Sequence, residues 1–168
     1  MSSPPFRNLI RRTLALVFVA ALSAACSGKD GDDGISPGNS TSSFTATLTG
    51  GSAGVFSGSS SAAVGSGLFG IGLTTADGKF LLSFARAGTR PTPGPYPLGD
   101  NPLTGFSASI NVGPPQAIYT STSGTLTITE STVNSIKGNF SFNAAISVGS
   151  GPPTSVSGSF VAVCASGC

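Results

Sequence analysis

Few residues of this chain can support acid–base chemistry. The sequence has no histidine, so it lacks the usual general base and the commonest metal ligand. After residue 41 the only acidic residues are Asp77, Asp100 and Glu130, and Asp77 belongs to an Asp-Gly turn signal. A glycoside hydrolase would therefore have to pair the carboxyl groups of Asp100 and Glu130, and nothing in the sequence places them together.

Nucleophilic and metal chemistry are poorly represented as well. Serine is abundant, but a Gly-x-Ser-x-Gly nucleophile must lie between a strand and a helix, and the Gly-Ser-Gly segments at 65–67 and 149–151 are typical of turns. No glycine-rich phosphate loop opens a helix. Cys164 and Cys168 have a C-x3-C spacing without the partner ligands of a zinc site. We therefore expect a protein that is not an enzyme and that uses no cofactor or metal.

Residues 86–103 hold the best candidates for ligand binding. Five prolines in this segment predict a long loop, because proline cannot donate to a β-ladder. A loop on a rigid scaffold is where binding side chains usually lie, and this one carries the candidates Arg86, Arg90, Tyr96 and Asp100. The competing interpretation, which we favour, is that Tyr96 packs beneath its own prolines while the arginines are solvated.

The elements that would position these residues are β-strands. From residue 43 onward apolar and polar residues alternate, and no segment after the N-terminal apolar run shows the period of a helix. Asp77-Gly78 predicts a hairpin between two alternating runs. We expect an all-β fold, an antiparallel sandwich or barrel of about eight to ten short strands. The apolar face should bury Phe69, Ile71, Leu73, Phe80, Leu82, Phe84, Leu126, Ile128, Phe140, Phe142 and Phe160.

The N-terminal residues predict export. A run of twelve apolar or small residues at 14–25 follows three arginines, which is the pattern of a secretory signal peptide and is too short to span a bilayer. Residues 22–26 (LSAAC) resemble the lipobox of bacterial lipoproteins. That resemblance implies cleavage after Ala25, lipid on Cys26, and a lipid-anchored protein of the bacterial cell envelope. Ser27, directly after Cys26, resembles the signals that sort lipoproteins to the outer membrane, and the periplasmic and the surface face both stay open. The alternative is an ordinary signal peptide that leaves Cys26 as a free thiol.

These features divide the chain into three parts. Residues 1–25 are the predicted signal peptide, 26–41 a flexible Gly/Ser/Asp tether, and 42–168 a single domain. Without the signal peptide the chain has five basic and six acidic residues, a net charge of −1, so its composition gives no argument for nucleic-acid binding. The predicted partner is the membrane, through the N-terminal lipid. If Cys26 carries lipid, Cys164 and Cys168 are left to form a disulfide, the alternative being two free thiols.

Three later segments carry a further resemblance: residues 94–98 (GPYPL), 123–129 (SGTLTIT) and 137–142 (KGNFSF). With a closing strand around Phe160, they resemble a family of uncharacterised bacterial lipoproteins with one domain of unknown function. The resemblance implies an all-β lipoprotein domain and no substrate. The leading hypothesis is a non-enzymatic envelope lipoprotein for display, interaction or structural support. The alternatives are a binding module for an apolar ligand or glycan that uses residues 86–103, and, least favoured, a hydrolase.

Overall fold

Strand-forming alternation extends over most of the chain that the structure describes. The structure is a computed structural model that describes residues 41–164 and residue 168. These residues contain nine strands and no helix. The strands are β1 (Ser43–Gly50), β2 (Gly54–Gly65), β3 (Leu68–Thr74), β4 (Phe80–Ala87), β5 (Gly94–Gly99), β6 (Phe106–Val112), β7 (Ala117–Ser131), β8 (Ser135–Val148) and β9 (Thr154–Cys164).

The nine strands form one closed barrel. Their order around it is β1-β2-β3-β4-β6-β5-β7-β8-β9, and β9 pairs back onto β1 along the whole of β1. Most neighbours are antiparallel, and short parallel pairings join β2 to β9 and β5 to β6. The predicted all-β fold is confirmed, and of the two architectures left open by the sequence the structure has the barrel.

The barrel interior is the predicted apolar face. All eleven side chains expected in the core are buried, each no more than 3% exposed. The outward positions between them are mostly threonine, serine and asparagine, so hydroxyl and amide groups rather than charges meet solvent on the strands. The predicted hairpin is also present: β3 and β4 pair antiparallel on either side of Asp77-Gly78.

Phenylalanine rings and glycines pair across the inner wall. Phe140 on β8 faces Gly158 on β9, and two positions away Gly138 on β8 faces Phe160 on β9. A Cβ atom on Gly158 would lie 2.6 Å from Cζ of Phe140, and one on Gly138 would lie 3.0 Å from Cζ of Phe160. Each ring therefore occupies the space that a side chain on the opposite strand would need. This reciprocal arrangement explains how a narrow barrel holds so many phenylalanines.

The proline segment differs from the predicted loop. Residues 94–99 form β5, whose backbone pairs antiparallel with β7 and pairs with β6 only at Leu98 and Gly99. Pro95 and Pro97 therefore belong to a part of β5 that has a strand partner on one side only. Proline is accepted in a strand where its nitrogen faces an unpaired edge, and for this reason the prediction of a continuous loop over residues 86–103 was wrong.

The alternating strand directions give the barrel two distinct ends. At one end β1 begins, β9 ends, and the chain turns from β2 to β3, from β4 towards β5 and from β7 to β8; we call it the amino-terminal end. The turns β1–β2, β3–β4, β6–β7 and β8–β9 lie at the opposite end. The predicted signal peptide, Cys26 and the tether up to residue 40 lie outside the described residues. Within the described part, no helix has the length and apolar character needed to cross a membrane.

Candidate functional site

Arg86 closes the core at the amino-terminal end of the barrel. Phe80, Leu82 and Phe84 point inward from β4, and Arg86 continues this inward series at the end of the strand. Its guanidinium carbon lies 5.1 Å from the ring centroid of Tyr96 and 5.6 Å from that of Phe106. Both distances are within the range of a cation–π contact. The alternation of β4 therefore brings the Arg86 guanidinium over the rings of Tyr96 and Phe106 at the amino-terminal end of the core.

Tyr96 is held by its own segment. Its hydroxyl donates to the carbonyl oxygen of Thr92 at 2.8 Å and lies 3.2 Å from the Thr92 hydroxyl. Its ring meets the ring of Phe106 edge-on, with centroids 5.5 Å apart. The structure thus brings together Arg86 and Tyr96 among the four candidates, but as a packed stack. Arg86 is half-buried in that stack. This differs from the favoured interpretation, in which the arginines are solvated.

The other two candidates are less engaged. Arg90 is half-buried, and its Nη1 atom is enclosed without a hydrogen-bond partner among the described residues. Asp100 is exposed and forms no ion pair within the described part of the chain. No hydrogen bond or ion pair in that part joins Asp100 to Glu130, whose carboxylate lies 2.8 Å from Nζ of Lys137 on the neighbouring strand. The Glu130 carboxylate is therefore engaged by a cation on β8.

Two buried serines lie where one strand of the barrel begins or ends between two others. Near Ser121, β5 ends and β6 and β7 begin to pair with each other. The Ser121 hydroxyl accepts from the backbone N–H of Ala108 at 2.8 Å and donates to the carbonyl oxygen of Gly99. At Ser60, β1 begins between β2 and β9, and the hydroxyl lies within hydrogen-bonding distance of the Ser43 and Val161 carbonyls.

These serines are structural, because both hydroxyls are occupied by backbone groups that the diverging strands leave without a ladder partner. No motif in the sequence predicted these two serines. A signal was present, however, since each is the only buried serine among the inward-facing positions of its strand, which are otherwise small, apolar or aromatic.

The C-terminal cysteines are joined in the expected disulfide. The Cα atoms of Cys164 and Cys168 are 5.5 Å apart. The backbone N–H of Cys164 donates to Asn134 at 2.9 Å, and that of Cys168 donates to Val133 at 3.1 Å. The bridge and these two hydrogen bonds attach the end of the chain to the turn between β7 and β8.

One shallow depression of the described surface is lined by none of residues 86–103. It has a volume of about 180 Å³ and is formed by the paired ends of β1 and β9, with the lining residues Ser43, Phe44, Thr45, Ser159, Phe160 and Val161. Ligand pockets usually enclose about 300 Å³ or more. Phe44 and Phe160 are each only 3% exposed, so the depression offers little aromatic surface to a ligand.

One titratable group is clearly perturbed. The pKa of Asp77 is lowered below its ordinary value of 3.8, because its carboxylate accepts hydrogen bonds from the Thr75 hydroxyl at 2.6 Å and from the backbone N–H of Lys79 at 3.1 Å. The Lys79 ammonium, 3.4 Å away, adds a smaller attraction. These contacts belong to the β3–β4 turn and have the form of a structural turn rather than of an acid–base catalyst.

Comparison with protein-family models, with curated proteins and with solved structures finds no match for this chain. The resemblance to uncharacterised bacterial lipoproteins therefore stays a prediction from its motifs. Within residues 41–164 and residue 168, no three His, Cys, Asp or Glu side chains are grouped closely enough to hold a metal ion. The feature of the described surface that is left for a functional explanation is the amino-terminal end of the barrel, where Arg86 packs on Tyr96 and Phe106.

Proposed function

We propose that this protein is a non-enzymatic lipoprotein of the bacterial cell envelope, a β-barrel held at the membrane by lipid on Cys26. The observation that carries the proposal is the apolar run of residues 14–25, which follows three arginines and ends in LSAAC. The barrel would serve for display, interaction or structural support. Sorting to the outer membrane is part of the same proposal.

Most of the polar side chains that could take part in catalysis are engaged in structural contacts, which supports a role without catalysis. Glu130 is neutralised by Lys137, Asp77 is used by a turn, and the buried hydroxyls of Ser60 and Ser121 bind backbone groups. A general acid or base needs a free group within reach of a substrate, and among the three described acids only Asp100 is left without an ion-pair or hydrogen-bond partner. The alternative of a binding module at residues 86–103 has less support, because Arg86 and Tyr96 engage each other.

Membrane partition of the wild-type protein and of Cys26→Ala tests the anchor. Several acyl chains hold a protein stably at a membrane, whereas a protein without them is released. We expect the wild-type protein to enter the detergent phase in a detergent-partition assay and Cys26→Ala to remain in the aqueous phase. Cys168→Ala is the matched control and should partition like the wild-type protein. A wild-type protein found wholly in the aqueous phase would overturn the proposal.

A further inference from the structure

Exposed apolar side chains are concentrated at the amino-terminal end of the barrel. Of the six large apolar side chains exposed in the described residues, four lie there: Val64 is 39% exposed, Leu103 76%, Val133 58% and Val163 37%. They come from four different segments, namely the end of β2, the β5–β6 connection, the β7–β8 turn and the end of β9. The outward positions of the strands mostly carry hydroxyl groups. The surface around these four side chains, which we call the rim, is therefore more apolar than the outer wall of the barrel.

Backbone contacts hold the four segments at this end. The N–H of Ala87 donates to the carbonyl oxygen of Pro102 at 2.8 Å, which keeps the β5–β6 connection against the end of β4. Val163 lies opposite Ser61 of β2, and Cys168 is hydrogen-bonded to Val133. These segments are therefore connected to the barrel by backbone hydrogen bonds or strand pairing.

The described side chains at this end carry a net charge of +1, from Arg86 and Arg90 against Asp100. Arg86 and Arg90 form no ion pair with another described residue, and Lys137 and Glu130 neutralise each other nearby. The pair at the opposite end, Asp77 and Lys79, is likewise neutral. Basic side chains close to an anionic lipid surface are attracted to it. Asp100 is the one described acid of this region that has no basic partner among the described residues.

The chain that leads to Cys26 enters the barrel at this same end. Thr41 precedes β1, which begins there, and fourteen residues lie between Thr41 and Cys26, so that fifteen Cα-to-Cα steps connect the two. Such a length spans at most about 50 Å when fully extended. We propose that the amino-terminal end of the barrel lies against the lipid bilayer, with Leu103 and Val133 in the headgroup region. This inference depends on the proposed lipid anchor at Cys26.

The absence of tryptophan from the sequence makes the orientation measurable. We would introduce one tryptophan at a time into the full-length lipidated protein: Leu103→Trp at the amino-terminal end and Val55→Trp at the opposite end, two positions that are both 76% exposed. Val133→Trp and Val148→Trp form a second pair, at 58% and 52% exposure. The proteins are reconstituted into phosphatidylethanolamine–phosphatidylglycerol vesicles, with or without brominated acyl chains, and the vesicles are floated to recover bound protein.

We expect the emission of Leu103→Trp and Val133→Trp to shift to shorter wavelength and to lose intensity in brominated vesicles. The emission of Val55→Trp and Val148→Trp should do neither. Because every variant carries the same added indole, the comparison cancels the preference of tryptophan for interfaces. If all four proteins float but none is quenched, the anchor holds and the docking of this end is refuted. Equal quenching at both ends refutes it too, and failure to float refutes both the anchor and the docking.

Discussion

Glycine is the structural partner of phenylalanine on the inner wall of this barrel. The ring of Phe140 packs against those of Phe84, Phe142 and Phe160, with centroids between 5.2 and 6.4 Å apart. This cluster fits only because the residue facing Phe140 has no side chain. A high glycine content, which by itself is typical of flexible segments, here permits dense aromatic packing.

Gly158→Ala tests this dependence. Its Cβ atom would meet the carbonyl oxygen of Thr45 and Cζ of Phe140, and neither the backbone of β1 nor a ring inside the cluster can move freely. Overpacking of this kind costs about 1–3 kcal/mol. We therefore expect a lower urea midpoint when unfolding is followed by circular dichroism. Gly72→Ala is the matched strand control, since the nearest atom to its Cβ would be 3.8 Å away. Equal midpoints for the two variants would contradict the packing argument.

At the scale of the element, the β3–β4 hairpin is closed by a network centred on Thr75 and Asp77. The Thr75 hydroxyl donates to Asp77, and its oxygen accepts from the backbone N–H of Phe80 at 3.2 Å. The backbone N–H of Thr75 donates to the carbonyl oxygen of Phe80 at 3.2 Å. Because the ionised Asp77 carboxylate accepts the hydrogen bonds from the Thr75 hydroxyl and from the backbone N–H of Lys79, the turn should respond to pH through Asp77.

Acidification should loosen this turn. The pKa of Asp77 is lower in the folded protein than its ordinary value, so its contribution to stability is present above about pH 4 and is lost as the pH falls through the lowered pKa. We expect hydrogen exchange at Lys79, corrected for intrinsic chemistry, to rise when the pH falls from about 5 to about 2. In Asp77→Asn, which cannot ionise, the corrected rate should not change over this range. The same pH dependence in both proteins would exclude Asp77 as its cause.

The elements that the sequence predicts best are those whose pattern is local. Phe80, Leu82 and Phe84 alternate without interruption, so their strand and its buried face follow from the residues alone. The strand β5 was missed because the prolines of residues 94–99 argue against any ladder. Their acceptance depends on β7 lying on one side only, which is a tertiary fact. Likewise Arg86 belongs to the inward series of β4, but its place over Tyr96 requires β5 to exist.

At the scale of the whole molecule, closure of the barrel is the feature that no local pattern reveals. It depends on the pairing of β1 with β9, whose residues are more than a hundred positions apart in the sequence, as in the pair Phe44 and Phe160. The same separation explains why a sandwich and a barrel could not be distinguished from strand patterns. The roles of Ser60 and Ser121 follow from closure as well, because each fills a gap where one strand of the closed sheet begins or ends between two others.

The disulfide at the end of β9 should protect the rim of the barrel rather than hold the barrel closed. It links residues only four positions apart, and in the chain-entropy account so short a loop contributes on the order of 2 kcal/mol at most. The closing ladder between β1 and β9 lies elsewhere, along residues 43–50 and 154–161. A protein with both Cys164→Ser and Cys168→Ser should therefore keep its barrel, with a loss of stability no larger than that amount.

The local effect should be larger than the global one. Without the bridge, the chain at positions 164 and 168 is no longer held beside the carbonyl oxygens of Asn134 and Val133, to which its N–H groups donate. The amides at positions 164 and 168 should therefore exchange faster in the double variant. The amide of Phe160, inside the ladder, is the internal control and should keep its protection. Mass spectrometry of alkylated, unreduced protein checks that the bridge is present at the start. Two alkylatable thiols in exported wild-type protein, or loss of protection at Phe160 in the double variant, would contradict this division between rim and barrel.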